Sequence, residues 1–443
     1  MILLIVLHIC FLLFYLYVQQ LFEKDKPLYS WFHTTLVIKV LSGLAMGALY
    51  LYYYKTGDIT DTYSSISRFA VLFYSDNHKF MEMYFHNSFI ETNELSFQEM
   101  LTYSPRQLFF VKLIVPLGIL IDNYWMLNVY VSVFSFLGLW NLANRVVSIF
   151  DISKTAVVIA FLLFPSVVFW SSGMVKEAVL LGSIGFSMSF YLKWVYEKRK
   201  PEIVELIIFI LALWLIWNIK YYVFTILFFL MITHFAHRMI VYSFPWLKEY
   251  RVHRIVFYYL VLLNLGLSAG WIHPNLSIEN LYHALHVNYV DTMELSQNKN
   301  VFHLTYFEKG EWGLLWDLPK AIFFGLFGPF LNTGKGLIAW FAILENYLLL
   351  LIVAYFMVDQ TRKKWKGWTL EHLVVVNYII LMAAFLSFAS PNWGALIRYK
   401  VSFTPLLILL LLSELPIILK LDFILFPEVA KETERKDILP TTD

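Results

Sequence analysis

The chain has 443 residues, of which 59% are hydrophobic and 15% charged, with a net charge of +2. A soluble globular domain carries about 25% charged residues, so this composition excludes one and defines an integral membrane protein. The small net charge gives no basis for binding nucleic acid, and the single cysteine, Cys10, excludes an intrachain disulfide or a thiolate metal centre.

In chain order, apolar runs fall at 2–20, 34–54, 108–121, 124–146, 156–171, 178–192, 203–218, 222–242, 255–271, 319–331, 338–358, 371–389 and 401–418. A spanning helix needs about 20 residues. The first run lacks a basic start and a small-residue cleavage site, so it is expected to be a retained helix. Two runs are short and interrupted: 108–121 holds Pro116 and Gly118, and 319–331 holds Gly325, Gly328 and Pro329. Both are expected to be broken or re-entrant helices enclosed by protein.

The basic clusters are Lys198-Arg199-Lys200, Arg238 with Lys248, Arg251 and Arg254, and Arg362-Lys363-Lys364 with Lys366. Such loops face the cytoplasm. Counting outward from them places 55–107, 172–177, 218–222, 272–318 and 388–399 on the opposite side, and parity demotes 108–121 and 319–331. The expected architecture is therefore all-α and polytopic, with about eleven crossings. A single transmembrane domain over 1–420 would carry external loops 55–107 and 272–318, followed by a short cytoplasmic tail at 421–443. The 15 Trp and 28 Tyr suit the two interfacial belts.

Three constellations on the external side could carry chemistry. Gly57-Asp58-Ile59-Thr60-Asp61 follows the second run. If a helix starts there, Asp58 and Asp61 share a face, where one acid could act as general base, bind a divalent cation or simply cap the helix. The stretch from Phe164-Pro165 to Ser172-Gly173 and Lys176-Glu177 reads as a helical hairpin whose tip exposes Lys176, and a second cationic tip follows at Lys220. A compact ammonium there suits a phosphate. Arg398-Tyr399 leads into the last run, where Arg398 is either a phosphate fork or an interfacial anchor. Arg106, after Ser104-Pro105, marks the opening of the first re-entrant segment. His283 and His286, with Asp291, Glu294 and His303 beyond them, form a weaker metal pattern. No phosphate-binding loop, G-x-G-x-x-G or G-x-S-x-G occurs, which argues against ATP-driven transport.

The Gly57-Asp58…Asp61 pair, Ser104-Pro105-Arg106-Gln107, the 164–177 hairpin and the Arg398-Tyr399…Pro405 ending together resemble polytopic GT-C glycosyltransferases. That resemblance implies an acid in an external loop acting as base or metal ligand, and a polyprenyl-phosphate-linked sugar donor held by cations at external helix ends. Asp58 would be the acid and Asp61 its support. Lys176, Lys220 and Arg398 would hold the donor phosphate, with Glu177, Tyr399 and Arg106 lining the substrate site. The acceptor would be a glycan, lipid or protein, and the setting the outer side of a bacterial inner membrane, where cell-envelope glycans are assembled. In this sequence the large external loop follows the second apolar run rather than the first, and no soluble C-terminal domain is evident. Rival readings are a polysaccharide or O-antigen polymerase and a lipid-linked-sugar flippase or transporter. A transporter would place its charges nearer the midplane on discontinuous helices and often repeat its fold in two halves.

Overall fold

The computed structural model describes every residue except 1, 56, 88–103, 245, 247–250, 297–299, 306–309, 311, 332, 334–335, 363–368 and 427–443. Glu91, Glu94 and Glu99 of the acidic loop, Lys248, Lys363, Lys364 and Lys366 of the basic clusters, and most of the expected tail lie outside the described residues. Among the described residues the protein is all-α, with an isolated bridge between Val301 and Asn392 and no strand.

Among the described residues, seven helices are long and apolar enough to cross a membrane, or eight if Trp393–Ser402 and Thr404–Leu412, bent by 65°, form one span. The expected crossings at 156–171, 203–218 and 255–271 are not among the seven. The first is interrupted by a π turn at Ile159–Leu163 and by Pro165, which opens a new short helix. The second, Ile203–Ile219, is apolar but stops at 17 residues. The third, Arg251–Leu267, is also 17 residues and begins on Arg251, His253 and Arg254. Neither Pro105–Leu120 nor Gly313–Phe327, which hold the two interrupted runs, is among the seven.

The chain divides into two compact units, the first made of Met1–Phe150 and Phe161–Lys220 and the second of Asp151–Ala160 and Tyr221–Asp443. The first unit contains α1 (Ile2–Glu23), α2 (Phe32–Ala48), α3 (Asp58–Ser75), α4 (Asn77–His86) and α5 (Pro105–Leu120). It continues with α6 (Tyr124–Ile149), α7 (Pro165–Trp170), α8 (Lys176–Tyr196) and α9 (Ile203–Ile219). Lipid offers apolar side chains no net gain from burial, so membrane helices pack through small residues that let backbones approach. That is how α6 meets α8: a Cβ at Gly138 would lie 2.0 Å from the Gly182 carbonyl oxygen. Likewise α2 meets α6 where a Cβ at Gly43 would fall 2.0 Å from Ser132 Oγ.

Around those crossings lie Phe32, Phe136 and Trp140, all buried, with Phe32 edge-on to Trp140 at 5.1 Å between ring centroids. The α1 helix leaves most of its side chains exposed and is tied in by polar contacts. His8 Nδ1 meets Tyr130 OH at 2.7 Å, and Glu23 accepts from Trp140 Nε1 at 2.5 Å and from Lys26 Nζ at 2.6 Å. The α3 helix is amphipathic, burying Ile59, Thr62, Ile66, Phe69 and Ala70 at helical spacing, and meets α5 where Gly118 faces Ile66.

In the second unit, Gly325 brings Gly313–Phe327 against Leu370–Ala389, since a Cβ there would lie 2.3 Å from the Ala383 carbonyl oxygen. Buried Lys400 donates to Asn346 Oδ1 and, at 3.2 Å, to the Gly328 carbonyl at the C-terminal end of Gly313–Phe327. A cation there complements the helix dipole. The last described helix, Pro416–Leu425, runs across the expected domain end at 420. Its Asp422 is buried and accepts from the Thr155 backbone N–H at 2.7 Å, satisfying an orphan donor of the short helix Lys154–Val158.

Candidate functional site

The helix expected at Asp58 is present, and it starts after Gly57, whose φ of +121° is accessible to glycine at little cost. Asp58 and Asp61 both lie in its first turn, where carboxylates complement the helix dipole. Asp61 is exposed, and its Oδ1 accepts from Gly57 N and Thr60 Oγ1, each at 3.4 Å. Asp58 is half-buried. One turn on, Thr62 donates to the Asp58 carbonyl at 2.5 Å.

The Ser104-Pro105 start of α5 is also as expected, with Ser104 Oγ accepting from Gln107 N at 3.3 Å and Pro105 in the first turn. Arg106 is half-buried at that start. Its neighbour Gln107 joins three helices. Lys176 Nζ donates to Gln107 Oε1 at 2.7 Å, and Gln107 Nε2 donates to Thr62 Oγ1 at 2.8 Å. Because an ammonium can only donate, it fixes the amide orientation, and a directed chain runs Lys176, Gln107, Thr62, Asp58 carbonyl. The N-terminal ends of α3, α5 and α8 are thereby brought together in one place.

The hairpin tip differs from its expected exposed form. Ser171, Ser172, Gly173, Met174 and Val175 are all buried, and Lys176 is half-buried. The α6 helix holds the tip: Gly173 N donates to Ser132 Oγ at 2.8 Å and Met174 N to Asn128 Oδ1 at 2.9 Å. These two side chains satisfy backbone groups that water would have taken at an exposed tip. Gly173, at φ +76°, makes the turn that leads into α8.

Lys220 is likewise no exposed tip. It caps the C-terminal end of α9, is 6% exposed, and lies 3.3 Å from Glu177 Oε1, itself 3% exposed. Lys220 and Glu177 balance one another, which leaves Lys176 as the cation of this cluster without a carboxylate pair among the described residues. Arg398 and Tyr399 lie in the second unit, on Trp393–Tyr399, both half-buried, with the guanidinium 5.8 Å from the Tyr399 ring centroid.

Three polar groups near the expected cluster are given no role by the sequence reading. Gln107 and Thr62 carry no charge and so no conspicuous signal. Asp122, after α5, accepts from Ser67 Oγ at 2.7 Å. Together with burial, that carboxylate pushes the Tyr63 hydroxyl up to about 12. A fourth, Lys39, has a signal that an apolar reading passes over, namely a single lysine inside the unbroken run 34–54. Among the described residues, no group of three or more His, Cys, Asp or Glu is placed to hold a metal ion, and this includes the His283 and His286 pattern.

No family model, curated protein or solved structure matches the chain.

Proposed function

We propose that the protein is a GT-C-type membrane glycosyltransferase that moves a sugar from a polyprenyl-phosphate-linked donor to a glycan, lipid or protein acceptor. The observation that carries this reading is the half-buried ammonium of Lys176, without a carboxylate partner among the described residues and hydrogen-bonded through Gln107 and Thr62 to the helix turn that holds Asp58. A cation and an acid held by one network of three helix starts suit a reaction in which one group loses a proton and another gains negative charge.

In the proposed step, Asp58 takes the proton of an acceptor hydroxyl, whose oxygen attacks the anomeric carbon of the donor. The bond from that carbon to the phosphate oxygen breaks, and the polyprenyl phosphate leaves with the electron pair. Lys176 stabilises the charge on the departing oxygen, an effect that grows as the bond breaks. Helix starts add the positive ends of their dipoles. Glu177 and Lys220 fix the start of α8 by their mutual pairing, and Asp61 fixes the start of α3. Arg106 is a further donor contact on the strength of the resemblance. The site would face outward from a bacterial inner membrane, in a chain that crosses it about eleven times with the shorter apolar helices counted.

The test is transfer from polyprenyl-phosphate-linked sugars by protein in nanodiscs. Asp58→Asn keeps the shape and removes the base, so turnover should fall ~10²-fold or more at unchanged thermal stability. Normal product formation by the folded variant would overturn the mechanism.

A further inference from the structure

The helix Arg251–Leu267 has two kinds of surface. Val252, Val256, Leu260, Leu263 and Leu267 are exposed at helical spacing, an apolar stripe suited to lipid. Its first turn is basic, with Arg251, His253 and Arg254. A helix so divided rests with its cations at headgroup depth and its stripe among acyl chains. The same residues belong to a basic loop that the positive-inside rule assigns to the cytoplasmic face.

Arg254 lies on the side opposite the stripe, one turn before Phe257 and Tyr258. Those rings meet His237 of the span Tyr221–Ser243, at 6.4 and 6.5 Å between ring centroids. Arg254 is half-buried and makes no hydrogen bond or ion pair among the described residues, and its Nε is buried. His237 is 6% exposed, and its Nδ1 also lacks a hydrogen-bond partner. Among the described residues, Arg254 and Arg238 act on His237 together with one carboxylate, Glu371, which lies 3.6 Å from Arg238. The cluster is therefore positive, and Glu371 is already engaged. A guanidinium stays charged at physiological pH even when half-buried, so Arg254 brings an unbalanced charge and unused donors to one place. Arg251 and His253 are exposed and Arg238 half-buried, so the cluster opens at the surface and needs no enclosed cavity.

We propose that this end of the second unit binds the phosphate of an anionic phospholipid from the cytoplasmic leaflet, with Arg254 as the principal contact and Arg251 at the rim. A guanidinium presents a planar fork to two phosphate oxygens, and such charge-assisted bonds are the stronger kind. A lipid is the fitting occupant because the cations stand at the basic end of a helix whose remaining length offers an apolar stripe to acyl chains. Basic pockets between helices on the cytoplasmic side take anionic headgroups for the same reason. The site lies in the other unit from Lys176 and does not depend on the sugar-transfer reading.

The test uses the full chain in phosphatidylcholine nanodiscs with an increasing share of phosphatidylglycerol, read as melting temperature. Phosphatidylglycerol should raise the melting temperature of the wild type. Arg254→Gln should need roughly tenfold more of the anionic lipid for the same gain, the loss of one charged contact. Arg199→Gln removes an exposed arginine from another basic cluster and should leave the response unchanged, which separates a site from general attraction to an anionic surface. Glu371→Gln removes the carboxylate and keeps every cation, so the response should strengthen, which gives a second arm if Arg254→Gln does not fold. A wild-type response in folded Arg254→Gln, an equal loss in Arg199→Gln, or a weaker response in Glu371→Gln overturns the site. Stabilisation by millimolar inorganic phosphate in pure phosphatidylcholine discs, to the extent that phosphatidylglycerol gives, overturns the lipid assignment in favour of a free anion.

Discussion

Lys176→Met tests the electrostatic core of the proposed site. The side chain keeps its length and loses its charge, together with the 2.7 Å hydrogen bond to Gln107. A unit charge about 4 Å from a phosphate oxygen is worth about 4 kcal/mol at the effective dielectric of a protein surface and about 1 kcal/mol in water. Lys176 is half-buried and pairs with no carboxylate among the described residues, so its contribution falls between these limits, at about 2 kcal/mol. At about 1.4 kcal/mol per decade, turnover should drop ~30-fold. The assay is initial-rate transfer from a radiolabelled polyprenyl-phosphate sugar at saturating donor, with melting temperature as the folding control. Gln107→Glu provides an independent arm: a carboxylate in place of the amide oxygen would neutralise Lys176 without removing it, and the rate should fall to the same order. Wild-type turnover in both folded variants would refute the assignment of Lys176 to the leaving phosphate.

Glu177→Gln should destabilise the protein by about 3–5 kcal/mol, because it strips buried Lys220 of its carboxylate, and Glu177→Met with Lys220→Met should recover most of the loss; thermal unfolding measures both. In a Cys10→Ser background, His78→Cys should react with an impermeant thiol reagent in intact cells and Arg199→Cys should not, and the reverse pattern would invert the topology. Lys112 donates to the Tyr84 carbonyl and to Asn87 Oδ1 at 2.6 Å, and burial pulls its amine down from 10.5 to about 8. The unfolded chain keeps this proton to higher pH than the folded one, so stability at this position rises from about pH 8 to 10.5 and is level below. Lys112→Met should lose that rise in melting temperature against pH.

Composition by itself determined that this is a membrane protein of helices, because too little charge is present to cover a water-facing surface and lipid tolerates few other backbones. Local chemistry also determined where two helices begin: Gly57 before Asp58 and Ser104-Pro105 before Gln107. These are readable because a cap or a proline acts on residues within one turn of itself. Partnership is a different matter. Lys39 meets Ser171 across 132 positions, Lys176 meets Gln107 across 69, and Lys220 meets Glu177 across 43. No local pattern distinguishes the lysine that is balanced from the two without a carboxylate, since each stands in or beside an apolar run. Only the packing of α2, α6 and the hairpin, set by glycines that let backbones touch, decides which side chain each ammonium reaches.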